Sequence, residues 1–451
     1  MKGRYDSYKD SGVELIGEIP KEWIKTKLKY VSNICGRIGY RGYTVEDIVD
    51  EGEGVITISP SNIKEDQFST ENSTFLSWDK YYESPEIQIF PDDIILVKTG
   101  STIGKTSIIP QGVPEMTINP QLVVLKKIKL FPKYFYYQTV CKYIKNSFDI
   151  EQTGSTTPTI SQEKINDFPL LYPPVQEQQQ IVQYLDTKTS LIDSLLKKTE
   201  KKIKLLKEQR TSLINEVVTK GLNPNVELKD SGVEWIGEIP SHWVVKPLKF
   251  IIENLNSGVS VNSENVPVED ENEMGILKTS SVYGNIFRPN ENKKILITEY
   301  QRIKCSVLKD SIIISRMNTP QMVGSSGYID RDYKNLFLPD RLWITEIFKG
   351  VDLSVKWLSY VLKSNKFRSE LSSRSTGTSP SMKNITKSDL LTIRIPYLSL
   401  IEQQQIVDFL DKKTNLIDST ISIEEKRIEH LKEYRQSLIS EVVTGKIKVT
   451  D

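Results

Sequence analysis

From Glu177 to Val218 the chain runs for 42 residues without Gly or Pro, and its apolar side chains recur every three or four positions. That spacing predicts one long helix. It is stopped by Gly221 with Pro224 beyond, the usual order at a helix C-terminus. Residues 402 to 443 repeat the pattern up to Gly445, with 27 identities in 42 aligned positions. One seam reads Ile181, Leu185, Lys188, Ile192, Leu195, Thr199, Ile203, Leu206, Arg210, Leu213 and Val217; the other reads Ile406, Leu410, Lys413, Ile417, Thr420, Glu424, Ile428, Leu431, Arg435, Leu438 and Val442. Such seams predict coiled-coil helices, with successive steps of four around Thr199 and Glu424 locally unwinding them. A second apolar row (Val182, Leu191, Leu196, Ile214, Val218) widens the stripe and leaves room for another protein's helices. At about 1.5 Å per residue each helix spans roughly 60 Å.

The helices belong to a larger duplication. KDSGVELIGEIPKEW (Lys9 to Trp23) returns as KDSGVEWIGEIPSHW (Lys229 to Trp243), with 12 of 15 positions identical. Between these frames, roughly residues 24 to 172 and 244 to 395 share only scattered landmarks. Two different heads therefore sit on one duplicated frame. Homologous halves making equivalent contacts settle around a two-fold axis, so the expectation is an antiparallel helix pair with a head at either end. This is the layout of a bivalent binder. Charge favours the pairing: residues 177 to 220 carry nine basic and six acidic side chains, residues 402 to 446 seven basic and nine acidic.

A chain of 451 residues holds two or three domains, and each variable segment is long enough for its own core. No run of eighteen apolar residues and no apolar signal core at MKGRYDSYKD point to a cytoplasmic protein without a membrane span. Cys35, Cys141, Cys305, His242 and His430 form no ligand spacing, which leaves buried free thiols and no metal. The net charge of +1 conceals an imbalance, since residues 21 to 174 come to about −2 and residues 244 to 395 to about +6. Modest affinity for nucleic acid alone, completed by partners that supply phosphate contacts, suits this balance.

Each head carries a strand-like run ending in a polar turn: PDDIILVKTGSTIGKTSII from Pro91 and KDSIIISRMNTPQMVG from Lys309. The turns place Lys98, Ser101, Thr102, Lys105, Arg316, Asn318 and Gln321 near the strand ends. Arg pairs with guanine, Asn or Gln with adenine, and Lys and hydroxyls more often touch phosphate. INPQ (Asn119, Gln121) and LPDR (Arg341) are matching landmarks, as are the polar turns TGSTTPTI (Ser155, Thr156) and STGTSPSM (Thr378, Ser379). The aromatic stretch FPKYFYYQTVCKYIKN and its counterpart LSVKWLSYVLKSNKF read as core helix. GSTIGKT at Gly100 imitates a phosphate loop, but Thr99 stands where GxxxxGK[ST] needs its first glycine. No nucleophile elbow, HExxH, dinucleotide fingerprint or Asn-Pro-Pro-aromatic motif is present.

With the repeated WIGEIP frame, PPVQEQQQIV opening a long helix, and two dissimilar heads, the chain resembles end to end the DNA specificity subunit of type I restriction-modification systems. The resemblance implies an α+β fold: two mixed α/β target recognition domains joined by an antiparallel coiled coil, pseudo-two-fold symmetric, reading a bipartite asymmetric site in double-stranded DNA. The corresponding divisions are residues 1–174, 175–221, 222–395 and 396–451. It also implies two methyltransferase subunits and restriction subunits as partners. S-adenosylmethionine, ATP and Mg would belong to those partners, with no catalysis in this chain. The seam positions Ile181, Leu185, Ile192, Leu206, Leu213, Ile406, Leu410, Ile417, Leu431 and Leu438 would form the coil and partner interface. The lead-in IPYLSLIEQQQ lacks the paired prolines Pro173 and Pro174, so the start of the second helix is less defined. A specificity chain for a methyltransferase-nuclease fusion and a bivalent protein-binding scaffold remain as alternatives.

Overall fold

The computed structural model describes residues 3–64, 67–154, 156–270, 272–379 and 382–449, without the side chains of Tyr40, Thr378 and Ser379. Compactness divides the chain into Met1–Glu200 with Lys426–Asp451, and Lys201–Glu425. Sequence boundaries at 174, 221 and 395 separate heads from helices. The compact units instead share each helix, because its two ends pack on different heads.

The head of the first unit is built on the strand Ile94–Val97, flanked by Thr106–Ile108 and Leu122–Lys126, with Asn33–Gly36 beyond. Its side chains alternate between two cores. Ile94 and Leu96 join Tyr134, Phe135 and the long helices, whereas Ile95 and Val97 join Ile58, Met116 and Ile118. Covering both faces requires an unbroken apolar run, which is how IILV reads. In the second unit Ser311–Ser315 takes the same place between Ser326–Ile329 and Leu342–Ile347, with Ile312 and Ile314 on one side and Ile313 on the other. Each aromatic stretch breaks into two helices, Pro132–Thr139 with Lys142–Glu151, and Val355–Lys363 with Asn365–Ser373. Tyr134, Phe135 and Trp357 are buried core residues. Of the cysteines only Cys141 is buried; Cys35, on Asn33–Gly36, and Cys305 are partly exposed.

The long helices are Val175–Lys220 and Leu400–Val443. The second needs no prolines, because Ser399 caps it: the Glu402 N–H donates to Ser399 Oγ at 3.3 Å, and that hydroxyl donates to the Glu402 carboxylate at 3.1 Å. In each unit the frame is fastened to the first turn. Trp23 Nε1 donates to Glu177 at 3.0 Å and Trp243 Nε1 to Glu402 at 3.3 Å. The head is fastened between two and three turns later, by Tyr137 and Lys133 on Asp186 (2.6 and 2.8 Å) and by Tyr360 and Lys356 on Asp411 (2.7 and 2.5 Å). Burial, followed by the carboxylate bond, pushes both phenols above their ordinary range, so they remain donors.

In the second unit partner numbers fall along one helix as they rise along the other, from Lys202–Glu424 (2.6 Å) to Arg210–Asp418 (2.8 Å), so the helices are antiparallel there. The first unit contains the equivalent pair Arg435–Asp193 at 3.0 Å. Ile181, Leu185, Ile192, Ile406, Leu410, Ile417 and Leu438 are buried, and Leu206, Leu213 and Leu431 are half-buried. The seam departs from expectation at four positions. Lys188, Leu195 and Lys413 are exposed and Thr420 only half-buried, while Thr189, Leu196, Thr414 and Ile421 are buried in their place. The doubled step of four thus falls at Ile181–Leu185–Thr189 and Ile406–Leu410–Thr414. There the buried face follows the head, since Tyr137 and Tyr360 also reach Thr189 and Thr414. Leu191 leaves the second apolar row and is exposed.

Lys448 N–H donates to the Gly3 carbonyl at 3.0 Å, which holds the segments next to the two termini side by side. A circular permutant joining Asp451 to Met1 by a short linker and opened at Asn223–Asn225 should therefore fold as the original chain does; a permutant with an adequate linker that is insoluble or melts many degrees lower refutes this. Residues 1 to 225 alone should homodimerise, because an antiparallel copy brings Asp193 opposite the other copy's Arg210, restoring the observed ion pair. Helix charge of like sign opposes it, so sedimentation should show tighter dimers as salt shortens the Debye length from about 10 Å at 0.1 M to about 3 Å at 1 M. A monomer at every salt excludes it.

Candidate nucleic-acid interface

The turn leaving each central strand is gripped by the same two segments. In the first head Lys98 N–H donates to the Gln121 carbonyl at 2.9 Å, and the Lys98 carbonyl accepts from Ile160 N–H at 3.0 Å. In the second, Arg316 N–H donates to the Arg341 carbonyl at 3.1 Å, and its carbonyl accepts from Ile385 N–H at 2.9 Å. Lys98 and Arg316 are thus equivalent positions, as are Gln121 and Arg341. Three predicted segments converge in each head although they lie up to about sixty residues apart in sequence.

Further bonds complete the first cluster. Gly100 N–H donates to the Pro158 carbonyl at 2.8 Å, and the Thr99 and Thr159 hydroxyls meet at 2.8 Å. Asn119 and Gln121 bond each other, Nδ2 to Oε1 at 3.3 Å, with Asn119 Oδ1 accepting the Gln121 N–H at 3.0 Å. Ser101, Gln121 and Thr156 are exposed; Lys98, Thr102, Lys105 and Asn119 are partly so. Ser155 lies outside the described residues. The phosphate-loop likeness ends at Thr106, which enters a strand with its hydroxyl bonded to the Ile95 carbonyl at 3.0 Å, where a helix N-terminus would be needed.

In the second cluster Arg316 Nε donates to the Asp340 carbonyl at 2.8 Å. This fixes the guanidinium plane and leaves its Nη groups without a hydrogen bond among the described residues. Arg341 and Gln321 are exposed. Asn318 differs from expectation. Its Nδ2 donates to Tyr283 Oη at 3.0 Å and its Oδ1 accepts the Thr319 N–H at 2.9 Å, so its amide is committed within the head. Thr378 and Ser379 belong to the strand Thr376–Ser379, joined through Met382–Asn384 to Met317–Asn318; their side chains lie outside the described residues.

One segment per head was missed. Asn119 N–H donates to the Ile58 carbonyl at 2.9 Å, which brings Ser59–Asn62 to the first cluster, and Tyr283 brings the turn 279–285 to the second. Both follow a short apolar strand, Val55–Ile58 and Gly275–Leu277, each parallel to the strand before the INPQ or LPDR landmark. SPSN and KTSS carry the same strand-then-hydroxyl signature as the other turns, but they do not align with each other by sequence.

The model of the type I restriction modification DNA specificity domain matches residues 20–205 and again 240–433. The chain belongs to this family, and its role is DNA sequence specificity. It is 28% identical over 369 residues to the type I restriction enzyme MjaVIII specificity subunit of Methanocaldococcus jannaschii, covering 81% of each chain. To the EcoKI specificity subunit of Escherichia coli it is 22% identical over 440 residues, covering 96% of this chain and 90% of that one. A solved chain from a study of assembly and conformational transition in the type I R-M system shares the fold with a TM-score of 0.67, at 16% identity, over 94% of this chain and 98% of the other.

Arg316→Ala should cost about 1–3 kcal/mol of discrimination at the second half-site, the value of a bidentate base contact, and leave the fold intact. Binding of the assembled complex to target and to a scrambled second half-site measures it. Equal losses on both would make Arg316 a phosphate contact.

Proposed function

We propose that the two heads read the two halves of a bipartite asymmetric DNA target, each with the cluster at the end of its central strand. The observation that carries this reading is the equivalence of the two clusters in backbone and their difference in side chains: Lys98 against Arg316, Gln121 against Arg341, Asn119 against Pro339. Identical main-chain holders presenting different hydrogen-bonding groups are what two different half-sites require. Lys98, Ser101, Thr102, Lys105, Asn119, Gln121 and Thr156 serve the first half-site. Arg316, Gln321 and Arg341 serve the second, with Asn318 acting through Tyr283.

The chain itself contributes recognition and no catalysis. Two methyltransferase subunits dock on the long helices, and restriction subunits join through them, in the cytoplasm; S-adenosylmethionine, ATP and Mg belong to these partners. Leu191 and Leu416 support the docking reading. They are equivalent residues on the two helices, 57% and 63% exposed, at positions where a surface helix of a self-sufficient protein is usually polar. No helix among the described residues is long and apolar enough to cross a membrane.

Co-expression with the neighbouring methyltransferase, followed by mapping of methylated adenines across a host genome, tests the reading. A single split motif is expected, and unmethylated DNA or an unsplit motif counts against it. Leu191→Glu with Leu416→Glu should abolish methylation and co-purification of the methyltransferase while leaving the melting temperature within a few degrees, since both side chains are largely exposed. Full methylation by that variant would place docking elsewhere.

A further inference from the structure

Arg368 is the fourth residue of the helix Asn365–Ser373, and its side chain runs beneath the turn that carries Gln321. Nη2 donates to the Gln321 carbonyl at 3.0 Å. Nη1 is enclosed and has no hydrogen-bond partner among the described residues. A Cβ placed on Gly324 would stand 3.6 Å from Nη1, so a side chain at that position would come against the guanidinium. The nearby Glu370 offers no counter-charge, because it is held by Arg374 at 2.5 Å. Burial alone pushes Arg368 down to about 10, which leaves it protonated at neutral pH.

Among the described residues this half-buried guanidinium has no carboxylate partner and one enclosed N–H group, an unfavourable arrangement unless something outside completes it. The first head has a basic residue at the same place: Lys145 is the fourth residue of Lys142–Glu151. Both helices meet their turns alike, Phe148 lying against Gly104 and Leu371 against Gly324. Each pair is the seventh helical residue against a positive-φ glycine. A basic residue at the fourth position of this helix thus recurs in two heads whose turn sequences differ.

We propose that Arg368 is a positioning residue for the second head, fixing the main chain of the 319–324 turn and supplying a positive charge that a DNA backbone phosphate neutralises across that turn. The inference rests on the reading of the heads given above. In a low-dielectric setting the charge acts through the thin layer of turn backbone more strongly than a solvated surface lysine would.

The test uses the chain assembled with its methyltransferase and compares the wild type with Arg368→Met and Arg368→Lys. Affinity is measured across a salt series for the target, for DNA with a scrambled second half-site and for DNA with a scrambled first half-site. Arg368→Met should reduce the slope of log affinity against log salt by about 0.9, the share of one phosphate, and cut discrimination at the second half-site by about tenfold. Discrimination at the first should not change. Arg368→Lys should recover the slope but not the discrimination, since an ammonium keeps the charge and loses the planar hold on Gln321. Wild-type slope and discrimination in Arg368→Met, with or without a lowered melting temperature, would overturn the proposal and leave the residue a structural support. A wild-type complex that binds all three DNAs alike would overturn the reading of the heads, and this inference with it.

Discussion

Each half of this protein depends on one hydrogen bond from a buried indole. Trp23 and Trp243 are enclosed, and an indole N–H shut away from water without an acceptor costs about 1–3 kcal/mol. Each finds its acceptor in the first turn of a long helix, Glu177 or Glu402, where a carboxylate also complements the helix dipole. The other face of the ring receives the end of the opposite long helix. A Cβ on Gly445 would come within 2.4 Å of Pro20 and 3.2 Å of Trp23, and one on Gly221 within 3.2 Å of Trp243. Both glycines also have positive φ, so each closes its helix in a conformation and a space that other residues do not fit. Frame, helix start and helix end meet on a single side chain, which is why these stretches recur together in the sequence.

Much of this was legible beforehand. The duplication, the two long helices and the divergent heads are repeats and periods, which a single chain displays directly. The convergence of 98–105, 119–121 and 153–159 was readable only as landmarks in matching order, and the backbone bonds of Lys98 turn that order into adjacency. The seam shift at Thr189 and Thr414 was hidden, because a threonine gives no apolar signal; its burial is set by Tyr137 and Tyr360 from more than fifty residues away. Ser399 was hidden for a different reason. A serine cap does locally what two prolines do, but it looks like any loop serine. Tyr283 and Arg368 carry no sequence signature, being defined by what lies above them.

The heads share scaffolding and differ in electrostatics. The apolar strand buried on both faces, the tyrosine bolted to a helix aspartate and the two-sided grip on the turn are common to both. Between residues 21 to 174 and 244 to 395, however, net charge runs from about −2 to about +6. Under the reading proposed above, long-range attraction to a phosphate backbone would come mainly from the second head.

The discontinuity of the first unit bears on how the chain is made. Its core includes Leu438, Ile439, Val442 and Val443 beside Trp23, Tyr134 and Ile181, so the first head emerges from the ribosome lacking part of its own interior. That gap is filled only after Lys201–Glu425 has been synthesised. The second unit, continuous in sequence, can close first, and the head translated earliest is completed last. Until then the unfilled apolar flank of the first head is the stretch on which a chaperone, a partner subunit or an aggregating neighbour would act.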